Sequence, residues 1–496
     1  MSGIQTAVGA AIPTAFTSGL TTQPIWDMLV RNRILPTIED ARNNSTELLN
    51  MLYTSKQHVA GKFIIKTARS GRNYAGISAM HKGANMPDPG RQGAYQYNTA
   101  TRDIYLRIKL DNALLRAAES VGMDTIADPL EYEVKGIVED LAIKQEIMMH
   151  GDGSGRRAEI GVATTSAAGI VTVRHNQDNE GIANCPTAPT IWLDVGMRIA
   201  FVSATGTVRV AGAQQAFYII SIPTSTTIVV SATLGGTAFD FNATPLAGNA
   251  AGDWIVDATR DASMSALSGV PLDTGWRQEP MGLEGIFRDI GVLDGTGIST
   301  AGQQTGAYNY TVAAATDQAA GFQGIQVNGS ALSAAYPPPQ FNKAIILDAA
   351  GGAARQITEL LLQQGDSLAK KQNNANIKTR VISYELYDSF IATLLGDKRY
   401  NSPGAVAGGA TPEGGVPMNG IGFKRSRYML GGRVVNLDND QVHIFENSPL
   451  RPATAPGGPT WQQANDQDAV YQAMLTSYQV FADVRDRCGN MIVDLQ

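Results

Sequence analysis

Charged side chains are scarce in this sequence. Only 17% of the 496 residues are Asp, Glu, Lys or Arg, and the net charge is −6 at pH 7. Soluble domains usually have about a quarter of their residues charged. Because the buried centres of protein interfaces are poor in charge, this composition predicts that other subunits cover much of the surface.

Cysteine and histidine are also rare, at 2 and 5 residues. Cys185 and Cys488 lie too far apart for a disulfide framework or a metal knuckle, and we interpret them as buried thiols. The histidines show no metal-ligand spacing, and no Gly-x-Ser-x-Gly motif marks a serine hydrolase. We therefore expect no metal, no cofactor and no enzymatic activity.

Long apolar runs are missing as well. No stretch approaches the roughly 18 apolar residues that span a bilayer, and the N-terminus lacks the charged start and apolar core of a signal peptide. We expect no membrane association and synthesis in the cytoplasm. Since the sequence starts at Met1, we also expect that no N-terminal scaffolding segment has been removed from it.

The first 115 residues predict an extended beginning. Residues 1–35 are small, polar and interrupted by proline, which is typical of an arm, and a short helix is expected over 37–53. Residues 63–68 and 104–110 alternate apolar with polar side chains, as strands do. They predict the two ends of a long hairpin that has no core of its own and must lie on another surface.

A long helix is predicted over 128–150. Asp128 suits the N-cap, Pro129 the first helical position and Glu131 the capping box. The helix is expected to end at Gly151 in a left-handed conformation.

The glycine-rich turn "GDGSG" at 151–155 is followed by Arg156 and Arg157 and raises the question of a phosphate site. Phosphate loops precede a helix, whose N-terminal N–H groups bind the anion. Here the glycines follow the helix, where carbonyl groups are free. We interpret the turn as a helix exit.

The following residues change character. Short strand-like pieces over 160–260 predict a small antiparallel barrel or sandwich. Together with this periodicity, Trp192 and Trp254 suggest that the block has a small core of its own. A helix is predicted over 353–371, with Ile357, Leu360, Leu361 and Leu368 along one face. A strand and a helix are predicted over 378–395.

This order of elements, an arm, a basic hairpin, a long helix that ends in "HGDGSG" and then "PMGLEGIF", resembles the major capsid proteins of tailed bacteriophages. The resemblance implies an α+β capsid fold, named after phage HK-ninety-seven. In that fold the arm is the N-arm, the hairpin is the E-loop and the helix is the spine of the P-domain. An A-domain gathers around the capsomer axes.

Many members of that family run from the glycine turn almost directly into a P-x-GL sequence. Here the β-rich block separates the turn from Pro280–Leu283, which indicates an inserted domain. We therefore expect these divisions: N-arm and short helix 1–54, E-loop hairpin 55–115, P-domain with the spine 116–155, inserted β domain 156–270, P-domain continuation 271–372, A-domain 373–455, and C-terminal P- and A-domain strands 456–496.

Charge is unevenly distributed between the hairpin and the helix. Residues 61–110 contain nine basic and two acidic residues, whereas 119–146 contain eight acidic residues and two lysines. Two solvated faces, or a nucleic-acid footprint on the hairpin, are alternative interpretations. We favour a hairpin that lies on the acidic helix of the next subunit. The candidate contact residues are Arg69, Arg72, Lys82, Arg91, Asp124, Glu131 and Glu139.

The resemblance implies a subunit that self-assembles through pentamers and hexamers into an icosahedral shell around double-stranded DNA, without sequence-specific binding. It also implies scaffolding, portal and cement proteins as partners, location in the virion and synthesis in the cytoplasm of a host bacterium. Lys82 lies near the hairpin tip, but the Asn and Glu of the family's covalent cross-link have no match. Alternatives are an encapsulin-like compartment, a tail sheath or baseplate protein, and a glycan-binding or hydrolytic enzyme built on the β block.

Overall fold

The protein is described from a computed structural model. The described residues are 48, 51–55, 59–60, 63–69, 76–79, 81–82, 85–89, 94–111, 124–151, 153, 155–162, 166, 168–175, 187–203, 207–212, 214–248, 250–258, 279–287, 325–328, 345–348, 355–397, 420–452, 462–463, 469–482 and 487–496.

Two compact units divide the chain. The first comprises Met1–Asn50, Asp103–Glu146 and Glu446–Tyr478, and the second comprises Met51–Arg102, Ile147–Phe445 and Gln479–Gln496. Each unit is therefore built from three separate stretches of sequence.

The described helices are α1 (Asp124–His150), α2 (Leu283–Phe287), α3 (Glu359–Asn373) and α4 (Tyr384–Asp397). The described strands are β1 (Tyr53–Ser55), β2 (Val59–Ala60), β3 (Phe63–Arg69), β4 (Ala94–Ala100), β5 (Arg102–Asp111), β6 (Arg156–Ile160), β7 (Ile170–Arg174), β8 (Arg198–Val202), β9 (Phe217–Thr224), β10 (Thr227–Ser231), β11 (Trp254–Asp257), β12 (Ile325–Asn328), β13 (Ile345–Asp348), β14 (Thr379–Ile382), β15 (Gly422–Arg425), β16 (Val434–Leu437), β17 (Val442–Pro452), β18 (Gln462–Gln463), β19 (Ala469–Ala482) and β20 (Gly489–Ile492).

The long hairpin exists, but one of its strands differs from the prediction. Strand β3 pairs antiparallel with β4, from Phe63 opposite Ala100 to Arg69 opposite Ala94, and β2 adds a short third strand. The predicted partner over 104–110 is strand β5, which pairs instead with β19. Both stretches alternate in polarity, and alternation does not specify which strand pairs with which.

Helix α1 begins earlier than predicted. It starts at Asp124, so Asp128 lies inside the helix rather than at its N-cap. Pro129 is the sixth helical residue, and its missing N–H removes only one hydrogen bond close to the helix start. The helix ends at His150, as predicted.

Six strands between Arg156 and Asp257 form a closed barrel with the order β10-β7-β6-β11-β8-β9. Aromatic and β-branched side chains fill its interior, where the ring centroids of Phe201 and Phe217 lie 5.5 Å apart. Trp192 and Trp254 are both buried, and Trp254 belongs to a second cluster with Val202 and Val256 rather than to this interior. Among the two architectures expected, the described residues form the barrel.

The second unit also contains a six-stranded sheet with the order β12-β13-β20-β16-β14-β15. All described pairs are parallel except those of β16, which is antiparallel to both neighbours. Helices α3 and α4 share one core with this sheet. That core extends across the expected division between 271–372 and 373–455.

Helix α3 is shorter than the predicted helix over 353–371. Thr358 is its N-cap, and its side-chain oxygen accepts a hydrogen bond from the Leu361 N–H, while Asn374 ends the helix in a left-handed conformation (φ 56°). Leu360, predicted on the buried face, is 64% exposed, whereas Leu362 is fully buried. The strand and helix predicted over 378–395 are confirmed as β14 and α4.

In the first unit, β19 lies between β17 and β18 and also pairs with β5. The predicted arm over 1–35 lies outside the described residues. No described helix is long and apolar enough to cross a membrane.

Candidate functional site

The glycine turn and the "PMGL" segment meet although residues 156–279 separate them. A Cβ atom on Gly282 would lie 2.3 Å from the Met149 carbonyl oxygen and 2.4 Å from that of Met148. A Cβ on Gly153 would lie 3.2 Å from the Met281 Cα. The backbone of "PMGL" therefore packs directly on the last turn of α1, which only glycine permits.

The left-handed residues of this turn differ from the prediction. Gly153 and Gly155 have φ values of 82° and 76°, whereas Gly151 is not left-handed. The Gly151 N–H instead donates to the carbonyl oxygens of Ile147 and Met148, both at 3.2 Å. The left-handed residues therefore follow Gly151 by two and four positions, and the first of them, Gly153, lies against Met281.

A turn over 426–433 connects the helix end with the barrel. The buried His150 Nε2 lies 2.7 Å from the Ser426 hydroxyl. From the barrel, the Trp192 Nε1–H donates to the Tyr428 carbonyl oxygen at 2.9 Å. Trp192 is thus buried by contact with this turn, which explains why it is absent from the barrel interior.

Arg157 forms a buried ion pair at the base of the barrel. Its Nη2 lies 2.5 Å from Glu279 Oε1 and 3.2 Å from Asp257 Oδ2. Burial lowers the pKa of Arg157, but the charges of Glu279 and Asp257 outweigh it and raise the pKa above its ordinary value. The guanidinium group stays charged and ties the first and last barrel strands to the residue before "PMGL".

Arg156 is buried on the same strand. Its Nη1 donates to Glu159 at 2.9 Å, its guanidinium lies 4.1 Å from the centre of the Trp254 ring, and Arg174 also binds Glu159 at 3.1 Å. Both arginines after the glycine turn therefore bind carboxylates within the chain. This pairing supports a structural role for the turn rather than a phosphate site.

A second buried ion pair lies beside "PMGL". Arg433 Nη1 is 2.9 Å from Glu284 Oε1, and both side chains are 2% exposed. Nearby, burial lowers the pKa of His175, and the positive charge of Arg433 lowers it further against the opposing effect of the Thr187 carbonyl. His175 is therefore neutral in the folded protein at pH 7.

The sequence did not predict these buried ion pairs. Two features of the sequence could have indicated them. The charged residues of "RRAE" lie in a pattern that otherwise predicts a strand, and Glu279 lies directly before "PMGL". Charges at strand positions are buried only when carboxylates pair with them, and the partners of Arg157 and Arg433 come from distant sequence.

The predicted contact residues lie as follows in the described parts of the chain. Arg69 ends β3 and Lys82 is exposed in a turn between β3 and β4; Asp124 is the first residue of α1, Glu131 lies within it, and Glu139 is exposed on it. Arg72 and Arg91 lie outside the described residues.

One acidic residue of the helix is not part of an exposed face. Glu146 is 4% exposed, and its two carboxylate oxygens accept hydrogen bonds from the Leu48 N–H at 3.2 and 3.3 Å. Close to the hairpin tip, two apolar side chains are strongly exposed, Ile77 at 79% and Met86 at 92%. The described hairpin therefore presents apolar as well as basic groups.

Metal-binding chemistry has no support among the described residues, where no group of three or more His, Cys, Asp or Glu side chains could hold an ion. The "DNDQ" segment forms a turn, in which Asp438 accepts a hydrogen bond from the Asp440 N–H at 3.2 Å.

No protein-family model and no curated protein matches the chain. Several solved structures are similar to it. The Cyanophage A-1(L) capsid asymmetric unit has 10% identity over 90% of this chain and 91% of its own, with a TM-score of 0.44. The capsid of Ralstonia phage GP4 has 9% identity over 90% and 86%, with a TM-score of 0.35. A native GTA particle capsid has 8% identity over 92% and 89%, with a TM-score of 0.35.

Proposed function

We propose that this protein is a major capsid protein that assembles in many copies into the icosahedral shell of a tailed phage. The shell encloses double-stranded DNA, its capsomers are pentamers and hexamers, and the chain performs no catalysis. The subunit is made in the bacterial host and resides in the virion, with scaffolding, portal and cement proteins as partners.

One observation carries this proposal. Gly153 and Gly282 bring the glycine turn and "PMGL" into backbone contact across residues 156–279. In the family that the sequence resembles, these two motifs are nearly continuous in the chain. A barrel that begins at Arg156 and returns at Asp257 beside Arg157 fits an insertion at that junction.

The hairpin supports assembly between copies. Strands β3 and β4 pair over seven residues, and described residues near the tip expose Ile77 and Met86. Contiguous exposed apolar patches mark contact sites, and we propose that Ile77 and Met86 contribute to one. We propose that the hairpin lies on the acidic half of a neighbour's α1, where Glu139 is exposed.

Electron microscopy of the purified chain tests the function directly. Closed icosahedral shells are expected. Tubes would favour a tail protein, shells that hold a protein cargo would favour a compartment, and monomers with no larger species would contradict the proposal.

Charge reversal tests the hairpin contact. In the double variant Arg69→Glu and Arg72→Glu we expect folded subunits with a lower shell yield. An exposed pair contributes only about 0 to 1 kcal/mol, but symmetry repeats the loss at every contact. The control is Arg107→Glu on β5, which reverses one arginine outside the β3–β4 hairpin, and the single variant Arg69→Glu gives the matched charge change within it. Normal yield and heat stability of the double variant would contradict the contact.

A further inference from the structure

The two sides of the barrel differ in charge. Strands β6 and β11 carry the buried ion pairs of Arg156, Arg157 and Asp257. In contrast, residues 160–173 and 210–239, which contain strands β7, β9 and β10 except for Arg174, have no Asp, Glu, Lys, Arg or His. These two stretches together have 44 residues. At the usual quarter they would contain about eleven charged residues, so this part of the barrel is unusually poor in charge.

Six residues on the outer face of β9, β10 and β7, here the uncharged wall, have hydroxyl or aliphatic side chains. They are Ser221, Thr224, Thr227, Val229, Ile170 and Thr172. On β7 and β10 they alternate with buried interior residues, and on β9 a register shift pairs Ser221 with the outward Val229. The register places them in rows across the strands, with Val229 opposite both Ser221 and Ile170. The wall is bordered by Arg174, which ends β7 and binds Glu159, and by Tyr218, whose ring lies 6.0 Å from the Arg198 guanidinium.

The uncharged wall lies on the far side of the barrel from its attachment. In the closed order β10-β7-β6-β11-β8-β9, the pair β9 and β10 stands opposite the pair β6 and β11. On the attached side, outward residues such as Arg156, Trp254 and Val202 are at most 4% exposed. On the wall, Ser221 and Thr224 are exposed and Ile170 is 40% exposed.

The chemistry of the wall favours a surface like itself. A charged partner would lose hydration without gaining an opposite charge. Hydroxyl groups, however, both donate and accept hydrogen bonds, so Thr and Ser are complementary to identical residues, as the Thr224 and Thr227 hydroxyls are to each other at 2.6 Å. β-Branched side chains also pack well across sheet surfaces.

We propose that the uncharged wall is an isologous contact, in which the walls of two copies of this chain pack on each other across a two-fold axis. A two-fold contact places one patch against the same patch, and a wall without charge meets itself without repulsion. The inference rests on the proposed function, because a shell supplies many copies and its two-fold axes.

Single cysteines test the contact in the full-length chain. Ser221→Cys, Thr227→Cys and Thr172→Cys sample three adjacent strands of the wall, and each shell preparation is treated with a short bifunctional thiol reagent. We expect one or more of them to convert most of the chain into covalent dimers. The controls are wild type, which has the same two native cysteines, and Asp194→Cys at an exposed loop position outside the wall.

A charge variant gives a second readout. Val229→Glu places like charges across the axis, which weakens the contact. We expect the yield of shells to fall about tenfold or more. Val195→Glu, at an exposed site outside the wall, should leave the yield unchanged.

The outcomes separate this inference from the proposed function. The wall contact is overturned if shells form, none of the wall cysteines cross-links and the Val229→Glu variant assembles normally. The proposed capsid function is unaffected by that result. Cross-linking by Asp194→Cys to the same extent as the wall cysteines also overturns it. A wild-type chain that never forms shells overturns the proposed function, and wall-specific dimers in that chain would still support the contact.

Discussion

Replacing Gly282 by alanine should disrupt the contact between "PMGL" and the end of α1. The new Cβ would lie 2.3 Å from the Met149 carbonyl oxygen and 2.4 Å from that of Met148. A carbon and an oxygen pack at roughly 3.3 Å, so one backbone must move by about 1 Å. Neither side moves easily, because α2 is buried and His150 at the helix end is bonded to Ser426.

The cost follows from this geometry. Overpacking a well-packed interior costs about 1 to 3 kcal/mol, and sometimes more, and two backbone oxygens are displaced here. We expect a loss of about 3 kcal/mol in local stability, which raises the population of the opened segment about a hundredfold. Hydrogen exchange of peptides that cover 279–287 and 145–153 should show this loss of protection.

Gly136→Ala is the matched control, since a Cβ there meets no atom within 4 Å. It lies inside α1, where alanine should stabilise the helix by about 0.5 to 1 kcal/mol. Wild-type protection in Gly282→Ala would refute the reasoning, because it would mean that "PMGL" does not rest on the helix end.

The remaining predictions concern the barrel and its buried charges. A fragment of residues 156–258 should unfold in one cooperative thermal transition. A fragment of residues 161–260 should not, because it lacks β6, which lies between β7 and β11. The same cooperative transition in both fragments would contradict the closed barrel. Arg157→Met should cost about 3 to 5 kcal/mol because it removes the cation that binds the carboxylates of Glu279 and Asp257, and adding Glu279→Met should recover part of this loss; additive losses in denaturant titrations would count against the pairing. Burial holds the pKa of His175 below its ordinary value of 6.5. Just below pH 6.5 the unfolded chain is therefore protonated at His175 while the folded chain is not. Stability should therefore fall as pH drops below about 6.5 towards the folded pKa, and His175→Gln should be less acid-sensitive in thermal unfolding; an unchanged slope would contradict this.

Local patterns in the sequence were sufficient to predict several elements. The alternation of polarity over 63–68 predicted β3, and the helical spacing before His150 predicted the body of α1, because each depends on residues close in sequence. The strand-like pieces after 160 predicted a small β domain for the same reason. The order of these elements was enough to indicate the resemblance to capsid proteins.

Tertiary structure decided the features that depend on residues far apart. β3 pairs with β4 rather than with β5, although both show the same alternation. The left-handed residues of the turn are Gly153 and Gly155 rather than Gly151, and Met281, which is distant in sequence, packs against Gly153.

The closure of the barrel also depends on contacts that only the tertiary structure brings together. Strand β6 contains two arginines, which by themselves favour an exposed segment. They are buried because Glu279 and Asp257 approach Arg157, and Glu159 and Trp254 contact Arg156. A sequence pattern records the charge of a residue but not the partner that neutralises it, and that partner determines whether the strand can enter the fold.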